Sequence, residues 1–102
     1  MKRFPIHPVD LIIYTDHLRF RIRFRNILKE LPQKIYLESE ERYVDTQTGH
    51  CIAVMDCKWH GKIREVAVSY DENNKVAELI TIHPIRSLQK LSRIKTGRWR
   101  KI

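Results

Sequence analysis

Two histidines occupy positions at which acid–base chemistry is feasible. His17 follows the start of a predicted helix, and His83 ends the last strand of a predicted sheet. Histidine changes its charge near neutral pH, so either side chain could act as a general acid or a general base. The alternative for each is a structural role, such as a hydrogen bond from His83 across the sheet. The sequence leaves both interpretations open.

Arginines accompany the first of these histidines. Arg21 and Arg25 follow His17 at intervals of four residues, so on a helix the three side chains form one basic ridge. At a helix start the dipole disfavours the protonated form of His17 and favours a bound phosphate. The ridge therefore predicts an anion site, with His17, His83, Arg21 and Arg25 as the candidate catalytic residues.

A second basic region lies at the carboxyl end of the chain. Basic side chains interleaved with an aromatic ring suit single-stranded RNA, because the ring stacks on a base while the cations hold phosphates. The alternative is a solvated helix face with the tryptophan anchoring the tail to the core. The candidate RNA-binding residues of this region are Arg86, Arg93, Arg98, Trp99, Arg100 and Lys101.

Two cysteines and two histidines lie close together in the middle of the chain. His50, Cys51, Cys57 and His60 resemble a zinc ligand set in composition. On a continuous strand, however, the two thiols face one side and the two imidazoles the other. The CxxC spacing of a zinc knuckle is also absent. We therefore predict structural thiols, with no metal site and no cofactor.

The stretch after Thr15 fits two secondary structures. Alternation of Leu18, Phe20, Ile22 and Phe24 with arginines has the period of a strand. A longer stripe at helical spacing, with Thr15-Asp16 as an N-cap before it, favours a helix instead. That stripe consists of Phe20, Phe24, Ile27, Leu28 and Leu31.

The remaining pattern predicts a second helix, a set of strands and a last helix. Pro32 begins a short helix that runs to about Glu41, with Ile35 and Tyr36 directed inward. Polar turns then separate strands at 42–45, 50–59, 63–70 and 76–83. A final helix spans 85–94, and Gly97 follows it.

The predicted fold is α+β: N-terminal helices packed on an antiparallel sheet of about four strands, with a basic C-terminal helix and tail. Residues 1–102 are predicted to form one domain. Its parts are a helical segment at 1–41, an antiparallel meander at 42–83 and the basic helix and tail at 84–102.

Composition excludes several classes of protein. The chain is 42% hydrophobic and 31% charged, which is typical of a globular domain. No apolar run approaches the roughly 20 residues that span a bilayer, and no secretory signal is evident. Two cysteines imply no disulfide framework. We therefore expect a soluble cytoplasmic protein that does not bind membranes.

The net charge of +8 is unevenly distributed along the chain. Residues 1–35 carry +5, residues 36–83 carry −4 and residues 84–102 carry +7. Folding could bring the two basic ends onto one face, as in a protein that binds a polyanion. The alternative is that both ends are only solvated.

The order of these features resembles a known group of proteins. Tyr14-Thr15-Asp16-His17, the arginine-rich helix, the hairpins and the stretch 79–83 are similar to small toxin nucleases of the RelE/colicin D type, over residues 12–83. The His83-Pro84 pair and the Arg98-Trp99-Arg100 tail depart from that pattern. The stretches 81–85 (TIHPI) and 93–99 (RIKTGRW) also resemble a group of uncharacterised prokaryotic and phage-like proteins, from which no activity follows.

The nuclease resemblance implies metal-independent cleavage of RNA, in which the 2′-OH attacks the adjacent phosphate. His17 or His83 would exchange the protons, and Arg21, Arg25 or Arg86 would hold the phosphate. The first hypothesis is therefore an endoribonuclease toxin, acting on RNA that is free or ribosome-bound and neutralised by a small acidic antitoxin. A non-catalytic RNA- or ribosome-binding module is the second. A subunit whose basic ends dock an acidic protein is the third.

Overall fold

The computed structural model describes residues 9–102, which form an α+β fold, as the sequence predicts. A six-stranded mixed sheet carries helices on both of its faces. In chain order the elements of the described residues are β1 (Leu11–Tyr14), α1 (Asp16–Phe24), α2 (Leu31–Glu38), β2 (Glu41–Asp45), β3 (Cys51–Trp59), β4 (Lys62–Asn73), β5 (Val76–Pro84), α3 (Ser87–Lys95) and β6 (Trp99–Lys101).

The sheet has the strand order β1-β5-β4-β3-β2-β6. Its four central strands form the predicted antiparallel meander. The prediction of about four strands was wrong at the two edges, where β1 pairs with β5 in parallel and β6 pairs with β2 antiparallel. These edge strands have four and three residues, which is too short for an alternating pattern to stand out in the sequence.

Tight turns set the register of the meander. His60 and Gly61 join β3 to β4, and Asn74 and Lys75 join β4 to β5. All four residues have positive φ, as in the two-residue hairpin loops whose twist matches that of the strands. The loop before β3 instead closes on Asp45, whose carboxylate accepts hydrogen bonds from the backbone N–H groups of the loop.

Helix α1 is shorter than predicted and buries a different side. It begins at the predicted cap, where the Thr15 hydroxyl oxygen accepts a hydrogen bond from the Leu18 N–H at 3.1 Å. It ends near Asn26, which adopts a left-handed conformation with φ of 54°. Leu18 and Ile22 face the core.

The predicted apolar stripe was therefore wrong at three of its five residues, while Ile27 and Leu31 are partly buried against the core. Phe20, Phe24 and Leu28 are 59%, 75% and 74% exposed. The Thr15 hydroxyl also donates to the carbonyl oxygen of Ile80 in β5. This contact attaches the start of the helix to the sheet. In the observed orientation of α1, Leu18 and Ile22 face the core and Phe20 points away from it.

Helix α2 follows its prediction closely. Pro32 lies in the first turn, and Ile35 and Tyr36 are fully buried. The helix ends before the predicted Glu41 because Ser39 is extended, and its hydroxyl donates hydrogen bonds to the carbonyl oxygens of Val54 and Glu41. This contact redirects the chain into β2.

Alternation along the strands creates two cores on opposite faces of the sheet. The larger core lies under α1 and α2 and contains Leu18, Ile22, Ile35, Tyr36, Ala53, Trp59, Val66, Val68, Tyr70, Ala77, Leu79 and Ile82. The smaller core lies on the opposite face and contains Tyr43, Ile52, Val54, Ala67, Ile85 and Trp99.

Helix α3 lies over the face of the smaller core. It is held by Lys90, whose ammonium group is 2.9 Å from a carboxylate oxygen of Glu41 and 2.5 Å from one of Glu65. The helical spacing of Ile85, Leu88, Leu91 and Ile94 predicts an apolar side for this helix. Ile85 instead precedes the helix and is buried in the smaller core, whereas Leu88, Leu91 and Ile94 are exposed. Polar contacts, rather than an apolar stripe, therefore attach α3.

Candidate functional site

His83 lies near the carboxyl end of β5, where one side of the strand is open. β1 pairs with β5 only from Val76 to Leu79, so no described strand flanks the following residues on that side. His83 pairs with Ala67 of β4, which places its side chain on the face of the smaller core. The side chain is half-buried. The open edge nevertheless leaves room for groups from neighbouring helices.

Helix α1 packs against β5 over the larger core, on the face opposite to the His83 side chain, and it carries two arginines, Arg21 and Arg25. Burial of Leu18 and Ile22 orients the helix, and Arg21 and Arg25 project from one flank of that buried side. The charges of both guanidinium groups act on His83. Neither group lies within ion-pair distance of a carboxylate in residues 9–102, so their charge is not neutralised within the described chain.

A third arginine, on α3, also lowers the pKa of His83. Arg93 lies on α3, and its guanidinium carbon is 5.3 Å from the ring centroid of Trp99. Among the charged groups that act on His83, Arg93 has the largest effect. We predicted Arg93 as a tail residue that binds RNA. Its proximity to His83 could not be read from the sequence, because it depends on α3 folding back over the sheet.

The environment of His83 favours the neutral imidazole. Burial lowers the pKa of His83, and the positive charges of Arg93, Arg21 and Arg25 lower it further. At neutral pH the side chain is therefore uncharged and able to accept a proton. The same three arginines create a positive potential that attracts an anion such as a phosphodiester.

His17 is less integrated into this arrangement. It lies on the same ridge of α1 as Arg21 and Arg25, and its side chain is exposed. Within residues 9–102 it makes no hydrogen bond or ion pair. The charges of Arg21 and Arg25 act on His83, but the structure shows no contact between the two histidines. The catalytic role of His17 stays a prediction.

The C-terminal tail differs from its expected arrangement, because Trp99 is buried. Its side chain is 2% exposed, lies in the smaller core and stacks on Tyr43 with ring centroids 5.3 Å apart. The expectation that Trp99 stacks on a base is therefore wrong for this structure, and the alternative of a tail anchor describes it. Burial is favoured because indole contributes a large apolar surface to the core.

The basic residues of the tail are divided between structural contacts and solvent. Arg98 pairs with the buried Asp45, with an N–O distance of 3.2 Å. Arg86, Arg100 and Lys101 are exposed. β6 and β5 lie at positions four strands apart, about 19 Å at normal strand spacing. The tail and the α1 ridge thus lie toward opposite edges of the sheet. Lys2 and Arg3 of the N-terminal basic segment lie outside the described residues.

The cysteine and histidine cluster is dispersed by the sheet. Cys51 and Cys57 are free thiols that pack against the larger core, and burial raises the pKa of both. His50 instead pairs with Asp71 at 2.8 Å. Among the described residues no group of three or more His, Cys, Asp or Glu side chains is arranged to hold a metal ion.

Comparisons with known proteins identify no relative. No protein-family model, no curated protein and no solved structure matches this chain. The resemblance to the RelE/colicin D type therefore stays an expectation, and the functional argument depends on the residues around His83. In the part of the chain that the structure describes, no helix is long and apolar enough to cross a membrane.

Proposed function

We propose that this chain cleaves single-stranded RNA by acid–base chemistry at His83, and that the phosphodiester is held by Arg21, Arg25 and Arg93. The observation that carries the proposal is a half-buried histidine at the open edge of β5, whose pKa is lowered by burial and by the positive charges of three arginines on two separate helices. Such an arrangement combines a proton acceptor with fixed positive charge, which are the two requirements of phosphodiester transfer.

In the proposed reaction, neutral His83 accepts the proton of the ribose 2′-OH. The 2′-oxygen then forms a bond to the adjacent phosphorus, and the bond from phosphorus to the 5′-oxygen breaks. A general acid protonates the departing 5′-oxygen, and His17 on the α1 ridge is the candidate for that role. The arginines stabilise the extra negative charge of the transition state. The products are a 2′,3′-cyclic phosphate and a free 5′-OH.

The proposal includes a partner for the same surface. An acidic protein that covers Arg21, Arg25 and Arg93 would block the substrate phosphate and act as an antitoxin. Charge complementarity supports this partner, because the ridge of α1 is basic and its arginines at 21 and 25 are not neutralised within residues 9–102. The proposed protein is therefore an RelE-like endoribonuclease toxin.

A non-catalytic RNA- or ribosome-binding module is the second candidate. Two observations favour it. Arg86, Arg100 and Lys101 are exposed, and the structure shows no contact between His17 and His83. Binding requires the cations but no proton transfer. The two candidates therefore differ in what replacement of His83 would change. In a nuclease it would abolish RNA cleavage, whereas in a binding module it would affect only RNA binding.

The deciding experiment incubates purified protein with a defined single-stranded RNA in excess EDTA and separates the products on a denaturing gel. We expect cleavage by the wild type, products that end in a 2′,3′-cyclic phosphate, and no cleavage by His83→Gln. His60→Asn is the matched control, because His60 is an exposed turn residue with positive φ. A substrate with 2′-deoxyribose at the cleaved position should remain intact.

Three results would contradict the nuclease proposal. The first is full activity of His83→Gln with an unchanged melting temperature. The second is cleavage of the 2′-deoxy substrate at the same position. The third is intact RNA that is nevertheless retained on a native gel, which would favour the binding module.

A further inference from the structure

Two phenylalanines form an exposed aromatic pair on α1. Phe20 and Phe24 are 59% and 75% exposed, and their rings stack at 5.6 Å between centroids with an interplanar angle of 12°. They lie one turn apart on the side of the helix that points away from the larger core. Neither ring contributes to the buried clusters. The pair therefore needs an explanation other than packing within this chain.

The surroundings of the pair are strongly basic. Arg19, Arg21, Arg23 and Arg25 alternate with the aromatic and core residues along the same helix. Asp16, at the start of the helix, is the acidic residue of this segment, and it is 3.9 Å from Arg19 in an exposed ion pair. An aromatic surface enclosed by arginines complements a ligand that is both anionic and flat. Nucleobases on a phosphate backbone have that chemistry.

The pair also adjoins the proposed phosphate site. Each phenylalanine precedes one of the arginines that act on His83, Phe20 before Arg21 and Phe24 before Arg25. One residue on a helix is a rise of about 1.5 Å and a rotation of about 100°. A strand whose phosphates lie against Arg21 and Arg25 therefore has its bases within reach of the two rings.

We propose that Phe20 and Phe24 form a base-stacking platform that selects unpaired RNA for the site at His83. The inference rests on the proposed function, because the phosphate position comes from Arg21, Arg25 and Arg93. A stacked base needs an accessible ring face, which a base within a duplex does not offer. The platform therefore gives a preference for single strands and tolerates different base sequences.

The test measures the affinity of a fluorescent 2′-O-methyl oligonucleotide, which cannot be cleaved, by anisotropy. Phe20→Leu/Phe24→Leu keeps an apolar surface but removes both rings. We expect this double variant to bind about 10-fold more weakly, because it loses both rings on which bases stack. An oligonucleotide of the same length with abasic sugars should bind both proteins equally. Leu88→Ala is the control, because Leu88 is an exposed apolar residue on α3.

The possible outcomes separate the inference from the proposed function. Equal affinity of wild type and the double leucine variant, with binding that still depends on Arg21 and Arg25, would overturn the platform alone. Binding of an acidic protein that is weakened in the double variant, while oligonucleotide affinity is unchanged, would overturn it in favour of a protein-docking surface. Failure of the wild type to bind any oligonucleotide would overturn both proposals. Both phenylalanines are exposed, so we expect unchanged melting temperatures.

Discussion

The α1 ridge and the C-terminal tail have similar compositions but use their charges differently. In the tail Arg98 pairs with the buried Asp45, with an N–O distance of 3.2 Å. On α1, Arg21 and Arg25 have no carboxylate partner within residues 9–102. The tail residues therefore stabilise an edge of the sheet, whereas the α1 residues leave positive charge available to a ligand. Net charge alone does not distinguish these two situations.

The aromatic residues show the same contrast. Trp99 is buried and stacks on Tyr43, while Phe20 and Phe24 are exposed. Sequence reasoning placed the phenylalanines in the core and left two roles open for the tryptophan, a ligand contact or an anchor of the tail. The proposed function therefore assigns ligand binding to the α1 ridge and a mainly structural role to the tail. The following predictions test this division.

The largest expected effect is on stability at Trp99. Trp99→Ala should lower the free energy of unfolding by about 3–5 kcal/mol, because it empties a large buried volume in the smaller core. Phe20→Ala should change it by less than about 0.5 kcal/mol, since its ring is exposed. Urea unfolding followed by circular dichroism measures both values. Equal effects of the two substitutions would contradict the assignment of the tail as structural.

A smaller effect is expected at the contact between the tail and β2. Burial raises the pKa of Asp45, but the Arg98 guanidinium and the N–H groups of Gln47 and Thr48 outweigh it and hold the pKa below the usual value. Asp45→Asn should cost about 1–3 kcal/mol at pH 7.

The pH dependence of the Asp45 effect has a defined sign. A carboxylate with a lowered folded-state pKa stabilises the protein above its ordinary pKa of 3.8, and this contribution is lost as the pH falls through the folded-state pKa. The difference in the free energy of unfolding between wild type and Asp45→Asn should therefore shrink in acid. If this difference stays constant down to pH 2, the negative charge of Asp45 does not stabilise the fold.

Affinity for RNA should depend more on α1 than on the tail. Removal of Arg21 and Arg25 together should reduce the slope of log affinity against log salt by about 1.4, if each contacts one phosphate of a single strand. The matched variant Arg98→Ala/Arg100→Ala removes the same charge and should reduce the slope by at most about 0.7, because Arg98 is paired with Asp45. A larger reduction of this slope for Arg98→Ala/Arg100→Ala than for the variant without Arg21 and Arg25 would contradict the proposed division between α1 and the tail.

The smallest expected effect is the contribution of His83 to stability. Its pKa is lowered in the folded state, so protonation favours the unfolded chain. The wild type should therefore lose stability relative to His83→Gln as the pH falls from about 6.5 through the folded-state pKa, and the two should show a constant difference at higher pH. Urea unfolding at pH 8, 6.5 and 5 measures the change. If the wild type instead becomes more stable relative to His83→Gln as the pH falls, the pKa of His83 is not lowered by positive charge in the folded chain.

Local patterns in the sequence predicted the elements with clear signals. The alternating strands, the N-cap at Thr15 and the first-turn Pro32 lie where expected, but β4 runs from Lys62 to Asn73 and so extends beyond the strand predicted at 63–70. The short strands β1 and β6 were missed because their pairing partners are distant in the sequence. The rotation of α1 was also missed, because two apolar stripes compete on that helix and contacts with β5 favour the stripe formed by Leu18 and Ile22.

The candidate site was predictable only in part. Residue types suggested His83, Arg21 and Arg25, and the positive charges of the two arginines lower the pKa of His83 in the folded chain. Arg93 could not be assigned to the same site, since its position follows from the contacts of Lys90 with Glu41 and Glu65 on separate strands. Long-range contacts of this kind leave no local pattern in the sequence.

The most direct test of the proposed site is the titration of the His83 imidazole by NMR. Signals of the ring are assigned by comparison with His83→Gln and followed against pH, with and without a non-cleavable 2′-deoxy oligonucleotide. We expect a midpoint below the ordinary 6.5 in the free protein, since burial and the three arginines disfavour the imidazolium. The midpoint should rise when the oligonucleotide binds, because its phosphates offset the charges of Arg21, Arg25 and Arg93. A midpoint at or above 6.5 in the free protein, or one that bound oligonucleotide leaves unchanged, would contradict the placement of the phosphate at His83.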